Sequence, residues 1–247
     1  MNEETVVHPD LDVLLEQTSQ ALGEQLRSIV LYGSAARGDW QRATSDLNLI
    51  IVVNQLDPAD LEALSPALTR WESGRQPLPL LFTPAMISDS ADVFPIEFLD
   101  LQSDRRVLYG DDPFAEVEIR SDHLRLQCER EMREKLMRLR EGYIETHARP
   151  RRLRRLLTDS YTTFVALFRG CLHLHRDAVP EHNEEVVSAF CRRAGLDEQA
   201  FGDVARLKHS EDVAADEKSV FGRYYAELNR AVTRIDRFVL GTEEESA

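Results

Sequence analysis

A chain of 247 residues with 43% hydrophobic content holds material for one or two domains with sizeable cores. Its 44 acidic residues against 30 basic ones give a formal net charge of −14, which repels a polyanion and leaves no strong nucleic-acid signal. Cys128, Cys171 and Cys191 are too few and too scattered for a disulfide framework or a metal array, and Met1-Asn2-Glu3-Glu4 precedes no apolar run, so the expectation is a cytoplasmic protein with reduced thiols, no signal peptide and no membrane span.

Asp10 suits an N-cap, and Leu11, Leu14, Leu15, Thr18, Leu22 and Leu26 follow at helical spacing, so a first helix with one buried face is expected. Ile29-Val30-Leu31-Tyr32 then reads as a short apolar strand that turns at Gly33-Ser34. A polar connection containing Arg37-Gly38 leads to Ser45-Asp46. Residues 47–53 follow as a second strand, apolar on both faces in the way of a central strand covered on both sides. Asp57-Pro58 pairs a cap with proline at the first helical position; Leu61, Leu64, Leu68 and Trp71 stripe that helix and Gly74 ends it. Residues 78–83 read as a third strand, free of acids, whose Pro79 suits a sheet edge. Residues 88–92 read as a turn of helix, 96–101 alternate in polarity as a strand does, and 107–113 close this half with a short strand and a turn.

From Ser121 the period is helical throughout. Leu124, Cys128, Met132, Leu136, Leu139 and Tyr143 form one stripe; Leu153, Leu157, Tyr161, Phe164, Phe168 and Cys171 form a second. A helix over 184–194 stops at Gly195, Asp197 caps the next through Lys208, and the last runs from about Asp216 to Gly241. Amphipathic helices with short connections make a bundle. The expected domains are therefore 1–118 and 119–247.

A Gly-Ser pair between a strand and a helix sets backbone N–H groups and a hydroxyl where a phosphate can sit, and an acid opening the next strand can hold a metal against it. Gly33-Ser34, Arg37-Gly38 and Ser45-Asp46 leading into a strand resemble the signature of the DNA polymerase beta-like nucleotidyltransferases, among them the minimal and the aminoglycoside nucleotidyltransferases. The motif spans about residues 31–53, a looser likeness continues through Gly110, and the helical remainder is compatible with it. The resemblance implies an α/β (α+β) nucleotidyltransferase-like mixed sheet with flanking helices, followed by an all-α bundle. It implies ATP as substrate, Mg²⁺ as cofactor, and transfer of AMP to a hydroxyl acceptor. Gly33 and Ser34 would hold the β- and γ-phosphates, Arg37 and Ser45 would support the loop, and Asp46 would ligate the metal. Glu141 and Glu145, one helical turn apart, could supply the general base that the aminoglycoside enzymes place on their helical domain.

The chain departs from that pattern at its centre. The family uses Asp-x-Asp here and a third carboxylate on a neighbouring strand, whereas this chain reads Asp46-Leu47-Asn48. Strand alternation points residue 48 the same way as residue 46, so a neutral amide stands where the second carboxylate belongs. Glu97 is the acid available to replace the missing one. A catalytically impaired nucleotide-binding or regulatory protein of the same fold is accordingly the alternative reading. Two further constellations stand apart from the motif. Arg149, Arg151, Arg152, Arg154 and Arg155 could clamp a phosphate. Arg169 and His175 match the loose pattern of the HEPN helical ribonucleases, with histidine as acid or base and arginine as phosphate stabiliser.

Overall fold

The computed structural model describes residues 9–37, 46–147, 149–174, 179–180, 182–209 and 216–238; the expectations for Ser45 and His175, and for the side chains of Ser34 and Arg37, fall outside that description. The chain folds as two compact units, Met1–Ile119 and Arg120–Ala247.

The first unit is built on a four-stranded mixed sheet of order β3-β2-β1-β4. Strand β1 (Leu26–Tyr32) lies antiparallel to β2 (Asn48–Val53) on one side and to β4 (Arg105–Gly110) on the other, while β3 (Leu80–Phe82) runs parallel to β2. The two central strands are apolar on both faces because both faces are covered. On one side Ile29, Leu31, Leu47, Leu49 and Ile51 pack against Leu11 and Leu14 of helix α1 (Pro9–Leu22). Between β1 and β2 comes the single turn of α2 (Ser34–Arg37). Helix α3 (Pro58–Ser73), which makes the β2-to-β3 crossover, adds Leu64 and Trp71 to the same core. On the other side Val30, Ile50 and Val52 meet Ile87 of α4 (Pro84–Ser90), Phe98 and Leu101 of α5 (Pro95–Ser103), and Phe114.

Several local signals act as the sequence suggests. Asp57 and Asp60 form a capping box at the start of α3, and Gly74 is its C-cap. Others do not. Asp10 is no cap: it lies inside the first turn of α1, where a carboxylate still complements the helix dipole. Pro79 precedes the short edge strand β3 instead of lying in it. Residues 96–101, expected as a strand, belong to α5. Pro95 takes the first helical position; Phe98 and Leu101, three apart, join the core against the sheet, and Ile96 is buried as well.

The segment after β4 is strapped back over the sheet. Gly110, at φ +73°, turns the chain against β1 so closely that a Cβ would lie 1.9 Å from the Arg27 carbonyl oxygen. Arg105 then grips Asp112 in a two-pronged pair, Nε to Oδ1 at 3.0 Å and Nη2 to Oδ2 at 2.7 Å, and the Phe114 N–H donates to Asp112 Oδ1 at 3.0 Å. Gln102 Nε2 donates to the Val117 carbonyl at 2.6 Å, and the Phe114 ring meets Phe98 edge-on at 5.8 Å.

The second unit is all helical: α6 (Ser121–Glu145), α7 (Pro150–His173), α8 (Asn183–Ala194), α9 (Glu198–Lys208) and α10 (Glu217–Phe238). Its core is a chain of aromatic contacts. Phe168 stacks on Phe190 at 3.9 Å and meets Phe201 edge-on at 5.6 Å; Phe201 in turn meets Tyr224 at 5.5 Å. Cys128, Cys171 and Cys191 are free and buried, and burial among acidic neighbours pushes the Cys191 thiol up to about 12. Asp203, buried on α9, is neutralised by Arg206 and Arg223. Among the described residues no helix is long and apolar enough to cross a membrane.

The Arg105 guanidinium holds the Asp112 carboxyl below the usual carboxylate range. A carboxyl depressed in the folded chain contributes stability that is complete above its unfolded value of about 3.9 and is lost as pH falls through the lower folded value. Replacing Asp112 by Asn removes a charge-assisted pair, and the expected loss at neutral pH is about 2 kcal/mol. Urea unfolding at pH 7 and at pH 3 checks this: the gap between wild type and Asp112→Asn should narrow at the lower pH, and a gap that widens contradicts the pairing.

Candidate functional site

Strand β1 stops where Gly33 enters the left-handed region at φ +75°, a conformation that costs any residue with a Cβ. The Gly33 N–H donates to the Asp104 carbonyl at 3.1 Å, and the Gly33 carbonyl accepts from the Ala36 N–H at 2.9 Å. Gly33 therefore shapes the turn. Because its own N–H is engaged, the donors that one helical turn leaves without an intrahelical acceptor are the N–H groups of Ser34 and Ala35.

Sheet register delivers the second element. Tyr32 pairs with Asn48 across β2 and with Arg105 across β4. Asn48 thereby comes against the turn: a Cβ on Gly33 would meet Asn48 Nδ2 at 3.5 Å. Leu47, fully buried, anchors the strand entrance, its N–H donating to Gln76 Oε1 at 2.8 Å. On either side of it Asp46 is exposed and Asn48 half-buried, with Asp46 just outside the strand. Asn48 shares its sheet face with Ile50 and Val52, as alternation requires. Burial raises the Tyr32 phenol above its ordinary value, so it remains a neutral donor at physiological pH.

The remaining candidates lie elsewhere. Glu97 is an exposed residue in the first turn of α5, not on a strand beside β2, so the route by which it would complete a carboxylate set on the sheet is removed. Strand β3 consists of Leu80, Leu81 and Phe82 and brings no acid. Glu141 and Glu145 are exposed on α6 in the helical unit. Among the arginines, Arg154 donates to the Leu207 carbonyl at 3.0 Å, close to the C-terminus of α9 where a cation is favoured, and Arg155 faces Asp159 at 3.5 Å. Arg169 donates to the Pro180 carbonyl at 2.6 Å and to Asn183 Oδ1 at 3.1 Å, tying α7 to the start of α8.

Asp104 is the residue that sequence reasoning passed over. It is half-buried, ends α5, and its backbone closes the Gly33 turn. The only signal for it was indirect: a strand begun at Arg105 instead of Val107 sets residue 104 opposite Gly33. As for a metal, among the described residues no three His, Cys, Asp or Glu side chains converge as a ligand set. Asp46 with the neutral amide of Asn48 does not fit the three-carboxylate, two-ion centre implied by the resemblance.

No family model matches the sequence, and no curated protein matches it. Among solved structures, spectinomycin adenyltransferase AAD(9) from Enterococcus faecialis, crystallised with ATP and spectinomycin, shares the architecture. It aligns over 92% of this chain and 98% of that chain at 12% identity, with a TM-score of 0.51. At that identity the likeness shows the fold alone: a nucleotidyltransferase-like mixed sheet with flanking helices and an all-α remainder.

The left-handed turn and the amide beside it should separate in their effect on stability. Gly33→Ala should cost about 1–2 kcal/mol through backbone strain, whereas Asn48→Ala should stay within about 0.5 kcal/mol of wild type. Chemical denaturation of both variants measures this, and equal losses would show that the turn does not depend on its glycine.

Proposed function

We propose that the α/β unit binds ATP at the Gly33-Ser34 turn and that the chain is a nucleotidyltransferase-fold protein with attenuated transfer of AMP to a hydroxyl acceptor. The observation that carries this reading is Asn48: a neutral amide packed against the turn, in the position where the family motif has its second carboxylate. The N–H groups of Ser34 and Ala35 need no metal to donate to a phosphate oxygen, so nucleotide binding survives the substitution. By the same resemblance Arg37 and Ser45 would support the phosphates, and Tyr32 adds a neutral hydroxyl on the same sheet face as Asn48. What suffers is charge balance. In-line attack on the α-phosphorus accumulates negative charge on the phosphoryl oxygens. With Asp46 as the carboxylate opening β2, that charge is poorly opposed. Mg²⁺ accompanies the nucleotide as at most one ion, held chiefly by the nucleotide's own phosphates.

One observation favours the alternative, a fully active adenylyltransferase: the likeness to AAD(9) runs through both units and covers nearly all of that ATP- and spectinomycin-bound protein. On that reading the acceptor is a hydroxyl compound, Glu141 or Glu145 supplies the base, and a further acid compensates for Asn48, with Asp104 the first to test.

Calorimetry separates the two. Wild type should bind ATP weakly with little gain on adding Mg²⁺. Asn48→Asp should tighten Mg²⁺-ATP about tenfold, ~1.4 kcal/mol, while leaving metal-free ATP unchanged or weaker. Strong Mg²⁺-dependent binding and AMP transfer by the wild-type chain, both lost in Asp104→Asn, would establish the active enzyme and overturn the attenuated one.

A further inference from the structure

A second cavity lies on the same sheet face as Asn48 but at the other end of the strands. Its floor is Ser28 of β1 and Val52 of β2, which pair across the sheet, with Ile87 and Ala91 beside them. Tyr32 lies four positions beyond Ser28, about 13 Å at strand rise, so the cavity is distinct from the Gly33 turn. It encloses about 610 Å³, within the size range of small-molecule sites.

Its chemistry is uneven. The floor is apolar apart from one group: Ser28 is 1% exposed, and its Oγ has no hydrogen-bond partner among the described residues. A buried hydroxyl left unsatisfied carries a desolvation penalty, which a ligand atom that reaches it relieves. The rim is acidic. Asp111, Glu116 and Glu118 line it, exposed and without an ion pair among the described residues, because the strap that begins at Gly110 carries them over the opening. Asp112, also in the strap, is already neutralised by Arg105. Among the described residues Arg27 is the one basic residue of the lining, and its guanidinium lies toward Asn54 Oδ1 at 3.4 Å.

We propose that this cavity binds an organic amine, a small molecule with a protonated nitrogen on an apolar body. The body leaves water for Val52, Ile87 and Ala91. The ammonium group lies under the potential of three carboxylates in a partly enclosed mouth, where charge is less screened than on open surface. Ser28 Oγ, covered by its neighbours in the ligand-free chain, becomes an acceptor for one of the ammonium N–H groups when the ligand's entry moves those neighbours aside. A phosphate or carboxylate ligand meets the same three charges as repulsion, so the cavity is not a second nucleotide site. A bare metal ion lacks a converging set of three ligands among the described residues. The proposal is independent of nucleotide binding at the Gly33 turn.

A matched trio of probes tests it: 1-adamantanamine, 1-adamantanol and 1-adamantanecarboxylate have the same body and differ in charge. Titrated into the ¹⁵N-labelled full chain, the amine should shift the amide signals of Ser28, Val52 and Ile87. The alcohol should bind at least tenfold more weakly, and the acid should leave those signals unmoved. The double variant Glu116→Gln, Glu118→Gln changes two exposed side chains and keeps the fold; it should weaken the amine at least fivefold and leave the alcohol unchanged. Ser28→Ala should weaken the amine further. Equal binding of amine and alcohol, amine binding indifferent to the double variant, or shifts spread over the acidic surface away from β1 and β2 would each overturn the assignment.

Discussion

Covering both faces of two adjacent strands is the constraint on which the first unit depends. Residues 49–53 of β2 are each no more than 1% exposed. A strand of that composition cannot sit at an edge or under a single layer without leaving Ile and Val side chains in water, at about 25 cal/mol for each Å² exposed. One layer, α1 and α3, covers the odd-numbered positions of β2; the other, α4, α5 and Phe114, covers the even-numbered ones. Chain order follows from this. The helix between β2 and β3 makes the crossover that a parallel pair requires, and the strap after β4 has to return over the sheet to bring Phe114 in.

The candidate chemistry collects where this burial ends. Leu47 is the last fully buried residue before β2 begins, and the polar pair Asp46 and Asn48 flanks it. Across the sheet, β1 ends one residue before Gly33. Strand ends that emerge from a two-sided core present backbone donors and short polar side chains at fixed positions, which is what phosphate recognition needs. The opposite end of the same strands is organised differently. There Gly110 returns the chain over Ser28 and lays acidic residues over an apolar floor. One sheet thus carries an N–H-rich end suited to anions and a carboxylate-rich end suited to cations.

Much of this was legible in the sequence. The unbroken apolar run at 49–53 identified a central strand, and the long stripes after Ser121 identified α6 through α10, because period and length agreed in each case. The nucleotidyltransferase-like architecture was what the resemblance carried by Gly33-Ser34, Arg37-Gly38 and Ser45-Asp46 implied, and AAD(9) shares it. Short segments were harder. In residues 96–101, Ile96-Glu97-Phe98 alternates as a strand does, while Phe98 and Leu101, three apart, share a helix face, and Pro95 at the first helical position was the signal for the helix. Strand β4 begins at Arg105 and Arg106, whose charges hid it; Arg105 is in the sheet because Asp112 neutralises it. Asp104 could not be read from local pattern at all, since its place beside Gly33 is a product of strand pairing between residues some seventy positions apart.

The setting of Asn48 bears on how such a protein changes over generations. Asparagine and aspartate codons differ by a single base, and the two side chains are nearly the same size. Asn48 is half-buried at a strand's first residue, outside both hydrophobic clusters, so exchanging amide for carboxylate there leaves both apolar cores as they are. A mutational step of the smallest kind therefore separates two charge states of the site without passing through an unstable chain. Lineages carrying this fold could lose and regain the carboxylate repeatedly, while the two-sided core keeps the scaffold the same.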